Sequence, residues 1–138
     1  MPCRSQAVSP EKRKAYPESP SGIPGVQTTL GLLLTAVRDG WLQPADIVRL
    51  CSVGPARVFG IEGKGEVAPG FAADLVLVDP KVGEPLPAEW LRSRAGYSPY
   101  QALPLAGWPR VTVLGGQVVY RDHAAAGPAR GRPLSFAR

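Results

Sequence analysis

Histidine is almost missing from this sequence: His123, set between Asp122 and a run of alanines near the end, is the single one. That scarcity removes the commonest metal ligand and the commonest general base at neutral pH, and a lone histidine near a terminus reads as a surface residue. Cysteine is scarce too. Cys3 and Cys51 lack the close spacing of a metal-ligand pair, and in a chain without a secretion signal they read as reduced thiols rather than a disulfide. No apolar run approaches the roughly 20 residues that cross a bilayer, and the opening MPCRSQAV lacks the apolar centre of a signal peptide. A cytoplasmic protein with no membrane contact is therefore expected. Aromatics make up 7% of the chain and are barely interleaved with the basic residues, which gather in Lys12, Arg13, Lys14 and in Arg121, Arg130, Arg132, Arg138. The net charge of +5 thus reads as solvated ends and not as a nucleic-acid surface.

What the chain does have is 138 residues at 44% hydrophobic composition, enough for one modest domain and too few for a complete large barrel. Residues 1–27 are rich in Pro, Ser and charge and read as an irregular opening segment and small-residue loop, the loop being the start of SPSGIPGVQTTL (residues 19–30), which runs directly into a helix. From Thr28 the pattern turns helical. Leu30, Leu33, Leu34, Val37 and Trp41 recur on one face, Thr28 or Thr29 offers a cap, and Asp39-Gly40 offers a stop. Pro44 opens a second helix with Ile47, Val48, Leu50 and Cys51 on its expected buried side. Gly54-Pro55 should interrupt it before a short third helix over ARVFGI, which brings the helical part to residue 64.

Residues 65–122 are strand-like. Pro69-Gly70 suits a type II turn, DLVLVD supplies a strand whose run Leu75 to Val78 suggests cover on both faces, and VTVLGGQVVY is a hairpin signal around Gly115-Gly116. Pro80, Pro85 and Pro87 make the intervening connection irregular, and AEWLRS adds a turn of helix. Asp74 and Asp79 flank the strand with no basic or histidine partner close in sequence, so they read as turn and edge residues and not as an acid pair. Residues 123–138 read as a flexible tail. The expected class is α+β, helices followed by a small antiparallel sheet, without internal repeats.

Four stretches carry a resemblance: EKRKAYPESPSGIPGVQTTLGLLLTAV, LQPADIVRLCSVGPARVFGI, GKGEVAPGFAADLVLVD and SRAGYSPYQALPLAGWPRVTVLGGQVVYRD. Together they resemble the carboxy-terminal part of the dihydroorotase family, within the metal-dependent amidohydrolase superfamily. APGFAADLVLVD is general to that superfamily, whereas SPYQALPLAGWP and SPSGIPGVQTTL point more narrowly to dihydroorotase than to allantoinase or hydantoinase. The resemblance implies that residues 28–64 are the last helical segment of a (β/α) barrel and residues 65–122 part of a small antiparallel β-sandwich domain. It implies an activity as well, the interconversion of N-carbamoyl-L-aspartate and dihydroorotate in pyrimidine biosynthesis. In the family two zinc ions, held by histidines, a modified lysine and an aspartate, provide a hydroxide that attacks the cyclic amide.

The resemblance departs at one point. Where the family has an Asp-His-Ala-Pro-His motif ahead of the loop, this chain has Arg4, Ser5, Gln6, Ala7 and Val8. Arg4 cannot ligate a cation as a carboxylate does, so no catalytic or metal-binding residue and no cofactor is expected in this chain. Ser21 and Gly22 are the residues expected to touch substrate, through their backbone. The chain is therefore expected to be a truncated or frame-disrupted piece, inactive alone. The alternative is a non-catalytic assembly subunit that binds aspartate carbamoyltransferase or a missing amino-terminal barrel fragment, which could also complete an active hydrolase. Either way an unpaired sheet edge, apolar helix faces at Leu33, Leu34 and Val37, and self-association are expected.

Overall fold

A computed structural model of the protein describes residues 10–128 and 131–137. Cys3, the Arg4 to Val8 stretch, Arg130 and Arg138 lie outside the described residues. The first long helix, α1, spans Thr29–Arg38. Thr28 stands at its cap position without bonding forward into the helix. Its hydroxyl and that of Thr29 both donate back to the Gly25 carbonyl, each at 3.0 Å, and so fasten the loop to the helix start. The stop is the expected one: Gly40 turns left-handed at φ +79°, and Trp41 N–H reaches back to the Ala36 carbonyl at 2.8 Å. Trp41 is consequently past the helix and 81% exposed, and does not extend its apolar face.

The second helix begins as expected at Pro44, with a reciprocal box in which Gln43 N–H donates to the Asp46 carboxylate at 2.9 Å. It does not break at Gly54-Pro55. Helix α2 (Pro44–Val48) runs through a π-helical turn (Arg49–Val53) into α3 (Gly54–Val58). The wider turn lets Gly54 N–H bond to the carbonyl of Arg49 and relieves the clash that a proline ring makes with the carbonyl four residues back. Glycine is needed there, because a Cβ on Gly54 would lie 2.4 Å from the Arg49 oxygen. The expected burial fails on this helix: Val48, Leu50 and Cys51 are exposed, since no other described element packs over that face.

Four antiparallel strands follow in the order β1 (Leu75–Pro85), β2 (Pro104–Leu114), β3 (Gln117–Arg121) and β4 (Ala124–Ala125). The turn before β1 has the expected form, with Phe71 N–H bonded to the Ala68 carbonyl at 3.1 Å and Gly70 at φ +88°. The β2–β3 turn is also the expected one, with Gly115 and Gly116 at φ +56° and +82° and Leu114 paired to Gln117. β2 begins ten residues before its end, inside PLAGWPR, a stretch whose prolines and glycine disguise a strand. Pro109 is tolerated because it pairs with Val78 where the register slips. β1 is one edge of the sheet, β4 being the other, and Leu75, Val76 and Leu77 are exposed instead of covered. The unpaired edge is thus present in the described residues.

The core is small and lies where α1 crosses β2. Leu105, with no exposed surface, gathers Leu86 and Trp108, and Leu32, Trp90 and Leu91 pack around them. Gly31 lets the helix approach Leu105, and Thr35 Oγ1 accepts the Ala106 N–H at 2.8 Å while donating to the Gly31 carbonyl. Leu33, Leu34 and Val37 are half-buried, and Leu34 lies against Gly107 of β2, a contact that the sequence alone did not suggest. The accessible surface is 10220 Å² at 14.6 kDa, against roughly 6900 Å² for a compact monomer of that mass.

The stretch expected as a tail makes ordered contacts in its described part. β4 pairs with β3, Phe136 bridges to Ile61, and Ala137 N–H donates to the Gly60 carbonyl at 2.7 Å. His123 stacks on Trp90 with ring centroids 3.6 Å apart, and its Nδ1 lies 3.3 Å from the Tyr120 hydroxyl. No helix among the described residues is long and apolar enough to cross a membrane.

Candidate functional site

The loop ahead of α1 is a rim. Ser21 and Gly22 are both exposed and line an open cavity of about 350 Å³ together with Lys12, Ile23, Ala95 and Tyr97. Two segments far apart in sequence meet here: part of SPSGIPGVQTTL, and Ala95 and Tyr97, which stand just ahead of SPYQALPLAGWP. Gly22 holds a left-handed φ of +78° with nothing within 4 Å of where a Cβ would stand, so its conformation, not crowding, requires glycine.

Two side chains tie this loop, and neither was singled out from the sequence as a site residue. Lys12, read as part of a solvated basic cluster, is half-buried while Arg13 and Lys14 are exposed, and its Nζ donates to the carbonyls of Pro20 and Gly22. Gln27, where the loop enters α1, is tied to the 90–92 segment at two points: its Nε2 donates to the Trp90 carbonyl at 2.6 Å, and its Oε1 accepts the Arg92 N–H at 3.0 Å. Tyr97 is buried, and beside it the buried Ser98 hydroxyl oxygen accepts the Tyr100 N–H at 3.2 Å. Side-chain-to-carbonyl ties of this kind have no periodicity, so no pattern in the sequence announces them.

Asp74 and Asp79 do structural work. Lys64 donates to Asp74, and Gly115 N–H donates to the same carboxylate at 2.7 Å, which pins the hairpin turn to the start of β1. The Lys64 hydrogen bond first and the Gly115 N–H second hold the Asp74 carboxyl below its usual range. Asp79 accepts the Lys81 N–H at 3.0 Å, a local turn. A second cavity of about 720 Å³ lies between the α2–α3 stretch and β1, lined by Val48, Cys51, Ile61, Leu75, Val76 and Leu134 among others. It is apolar for the most part. Among the described residues no three His, Cys, Asp or Glu side chains come together in a way that could hold a metal ion.

The family model described as "Amidohydrolase family" matches residues 22–119, which takes in the rim from Gly22 onward and the opposite wall at Tyr97. The chain is similar to the dihydroorotase of Methanosarcina mazei, 39% identical over 127 residues, covering 90% of this chain and 28% of that one. It is similar also to the dihydroorotase of Pyrococcus abyssi, 38% identical over 114 residues and covering 83% and 28%. The chain thus spans about a quarter of the length of the curated relatives it matches. Among solved structures it superposes on the L-hydantoinase (dihydropyrimidinase) of Arthrobacter aurescens with a TM-score of 0.75 at 30% identity, over 80% of this chain and 25% of that one. A D-hydantoinase gives a TM-score of 0.77 at 30% identity, over 85% and 26%. These likenesses bear out the resemblance read from the four stretches and agree with an α+β organisation.

Proposed function

The chain belongs to the amidohydrolase family, and from that premise we propose that it is the carboxy-terminal part of a dihydroorotase-type cyclic-amide hydrolase. In this reading α1 to α3 close a (β/α) barrel and the four strands are part of a small β-sandwich. Ser21 and Gly22 present the substrate-facing rim, and the reaction is the cytoplasmic interconversion of N-carbamoyl-L-aspartate and dihydroorotate. The observation that carries the reading is the meeting of the SPSGIPG rim with Tyr97 across one open cavity, the rim from Gly22 onward and Tyr97 both within the matched region. Zinc, which the resemblance implies, would supply the Lewis acid and the attacking hydroxide. The described residues do not fit it: no donor cluster is available among them, so their part is to bind and orient. The chain alone is accordingly inactive in this reading.

The test is a spectrophotometric assay of dihydroorotate turnover, run on the chain alone and on the chain mixed with a zinc-loaded amino-terminal barrel segment from a dihydroorotase relative. Turnover only in the mixture, with a raised KM for Gly22→Val, is expected. A mixture that turns over equally well with Gly22→Val refutes the rim's role. A second reading, a non-catalytic assembly subunit for aspartate carbamoyltransferase or for a barrel fragment, draws on the exposed β1 edge and the uncovered α2–α3 face. It expects stoichiometric co-purification and no turnover in any mixture.

A further inference from the structure

The rim loop is poor in the bonds that ordinarily hold a backbone. Between the Ser19 N–H bond to the Ala15 carbonyl and the Thr28 N–H bond to the Gly25 carbonyl, residues 20–24 make no backbone-to-backbone hydrogen bond among the described residues. Pro20 and Pro24 narrow its choices without fixing its position, and Gly22 at φ +78° widens them. One side chain bridges the gap. Lys12 directs its ammonium to the carbonyls on both sides of Ser21, and its own carbonyl accepts the Ser19 hydroxyl at 3.4 Å. The ammonium is a compact point charge with three donors on a flexible stem, suited to gathering carbonyl oxygens that do not lie in one plane.

We propose that Lys12 is the positioning residue of the rim: by drawing the Pro20 and Gly22 carbonyls to one cation, it sets the conformation in which Ser21 and Gly22 face the cavity. The inference rests on the reading of Ser21 and Gly22 as substrate-facing, but its test needs no turnover, so the two fail separately. A rim that is loose when empty would have to be ordered by each ligand at the expense of affinity, whereas a rim held by Lys12 is ordered beforehand.

Backbone ¹⁵N relaxation on the full chain tests this. In the wild type the amides of Ser21, Gly22 and Ile23 are expected to show order parameters near those of β2 and β3, about 0.85, and in Lys12→Met to fall below about 0.6. Lys12→Arg, which keeps the charge but spreads its donors in one plane, restores only part of the order, while the strand amides stay unchanged in both variants. A merely global role for Lys12 would instead loosen strands and rim together. Rim order parameters already below about 0.6 in the wild type overturn the proposal without any variant. Equal rim order in wild type and Lys12→Met overturns it too.

Discussion

Gly107→Ala is the substitution that most directly tests how α1, and with it the rim, is seated on the sheet. Gly107 lies in the buried stretch of β2 at φ +74°, directly beneath the helix. A Cβ there would stand 2.9 Å from Leu34 Cδ1, 3.0 Å from the Asp79 carbonyl oxygen and 3.3 Å from Pro80 Cα. Leu34 can swing its methyl away. The Asp79 oxygen and Pro80 Cα are backbone of the neighbouring strand and can move only by parting β1 from β2. The left-handed conformation costs alanine about 1–2 kcal/mol, and overpacking against backbone adds about 1–3 kcal/mol. Reduced freedom in the unfolded chain returns about 0.4–1 kcal/mol. A net loss of about 2–4 kcal/mol is expected.

The control is Gly96→Ala. Gly96 is left-handed at φ +66° with nothing within 4 Å of a Cβ, so it carries the conformational cost without the crowding; it is expected to lose about 1 kcal/mol or less. Urea titration followed by tryptophan fluorescence reads both, because Trp108 adjoins Gly107 and is buried. The midpoint should drop two- to fourfold further for Gly107→Ala than for Gly96→Ala at an unchanged slope. Equal losses would refute the claim that close approach of three elements at Gly107 fixes the helix on the sheet.

Other outcomes follow from the same structure. Because Lys64 and the Gly115 N–H hold the Asp74 carboxyl below its usual range, its stabilisation is complete above the unfolded-chain value near 3.9 and is lost as pH falls through the lower folded value. Asp74→Asn should therefore cost about 1–2 kcal/mol at pH 7 and flatten the decline in urea midpoint between pH 5 and pH 2. Gly54→Ala would place a Cβ 2.4 Å from the Arg49 oxygen and should close or break the π-helical turn. The expected cost is about 2 kcal/mol or more, with loss of helical far-ultraviolet ellipticity. Leu77→Lys puts a charge on the exposed edge strand and should reduce association of the chain with itself; sedimentation velocity at rising concentration checks this, and unchanged association would move the contact elsewhere.

The elements legible in the sequence are those whose signals are local. The α1 leucines and the Asp39-Gly40 stop, the Pro69-Gly70 turn and the Gly115-Gly116 hairpin each need only a few neighbouring residues to take their form. The features that were missed depend on a partner distant in sequence or on a compensation. Pro104, Gly107 and Pro109 argue against a strand until a register slip against β1 and a helix overhead accommodate them. Gly54-Pro55 argues for a break until a π-helical turn absorbs it. Leu75 to Leu77 look doubly buried because their composition is that of a covered strand, and their exposure depends on what lies alongside. At the rim, the resemblance pointed to Ser21 and Gly22, which line the open cavity, whereas Lys12 and Gln27 act on backbone groups that leave no mark in a pattern of side chains.

The distribution of burial bears on how such a chain could contribute to a larger site. Leu86, Tyr97, Leu105, Ala106, Trp108, Thr28 and Ser98 are all buried behind the rim, at the seam of α1, β2 and the 86–103 connection. The opposite side, where α2–α3 faces β1, carries the larger cavity and most of the exposed apolar residues of those elements. The rim therefore rests on contacts internal to this chain, and the uncovered surface is displaced from it. In the proposed reading a complementary fragment gains its apolar burial at the α2–α3 and β1 side and contributes catalytic groups across the open cavity at Gly22. Substitutions at Val48 or Val76 should thus weaken association with such a fragment without altering the rim, and substitutions at Lys12 should do the reverse. That separation would fail if Val76→Lys raised the KM of an assembled enzyme as much as it weakened assembly.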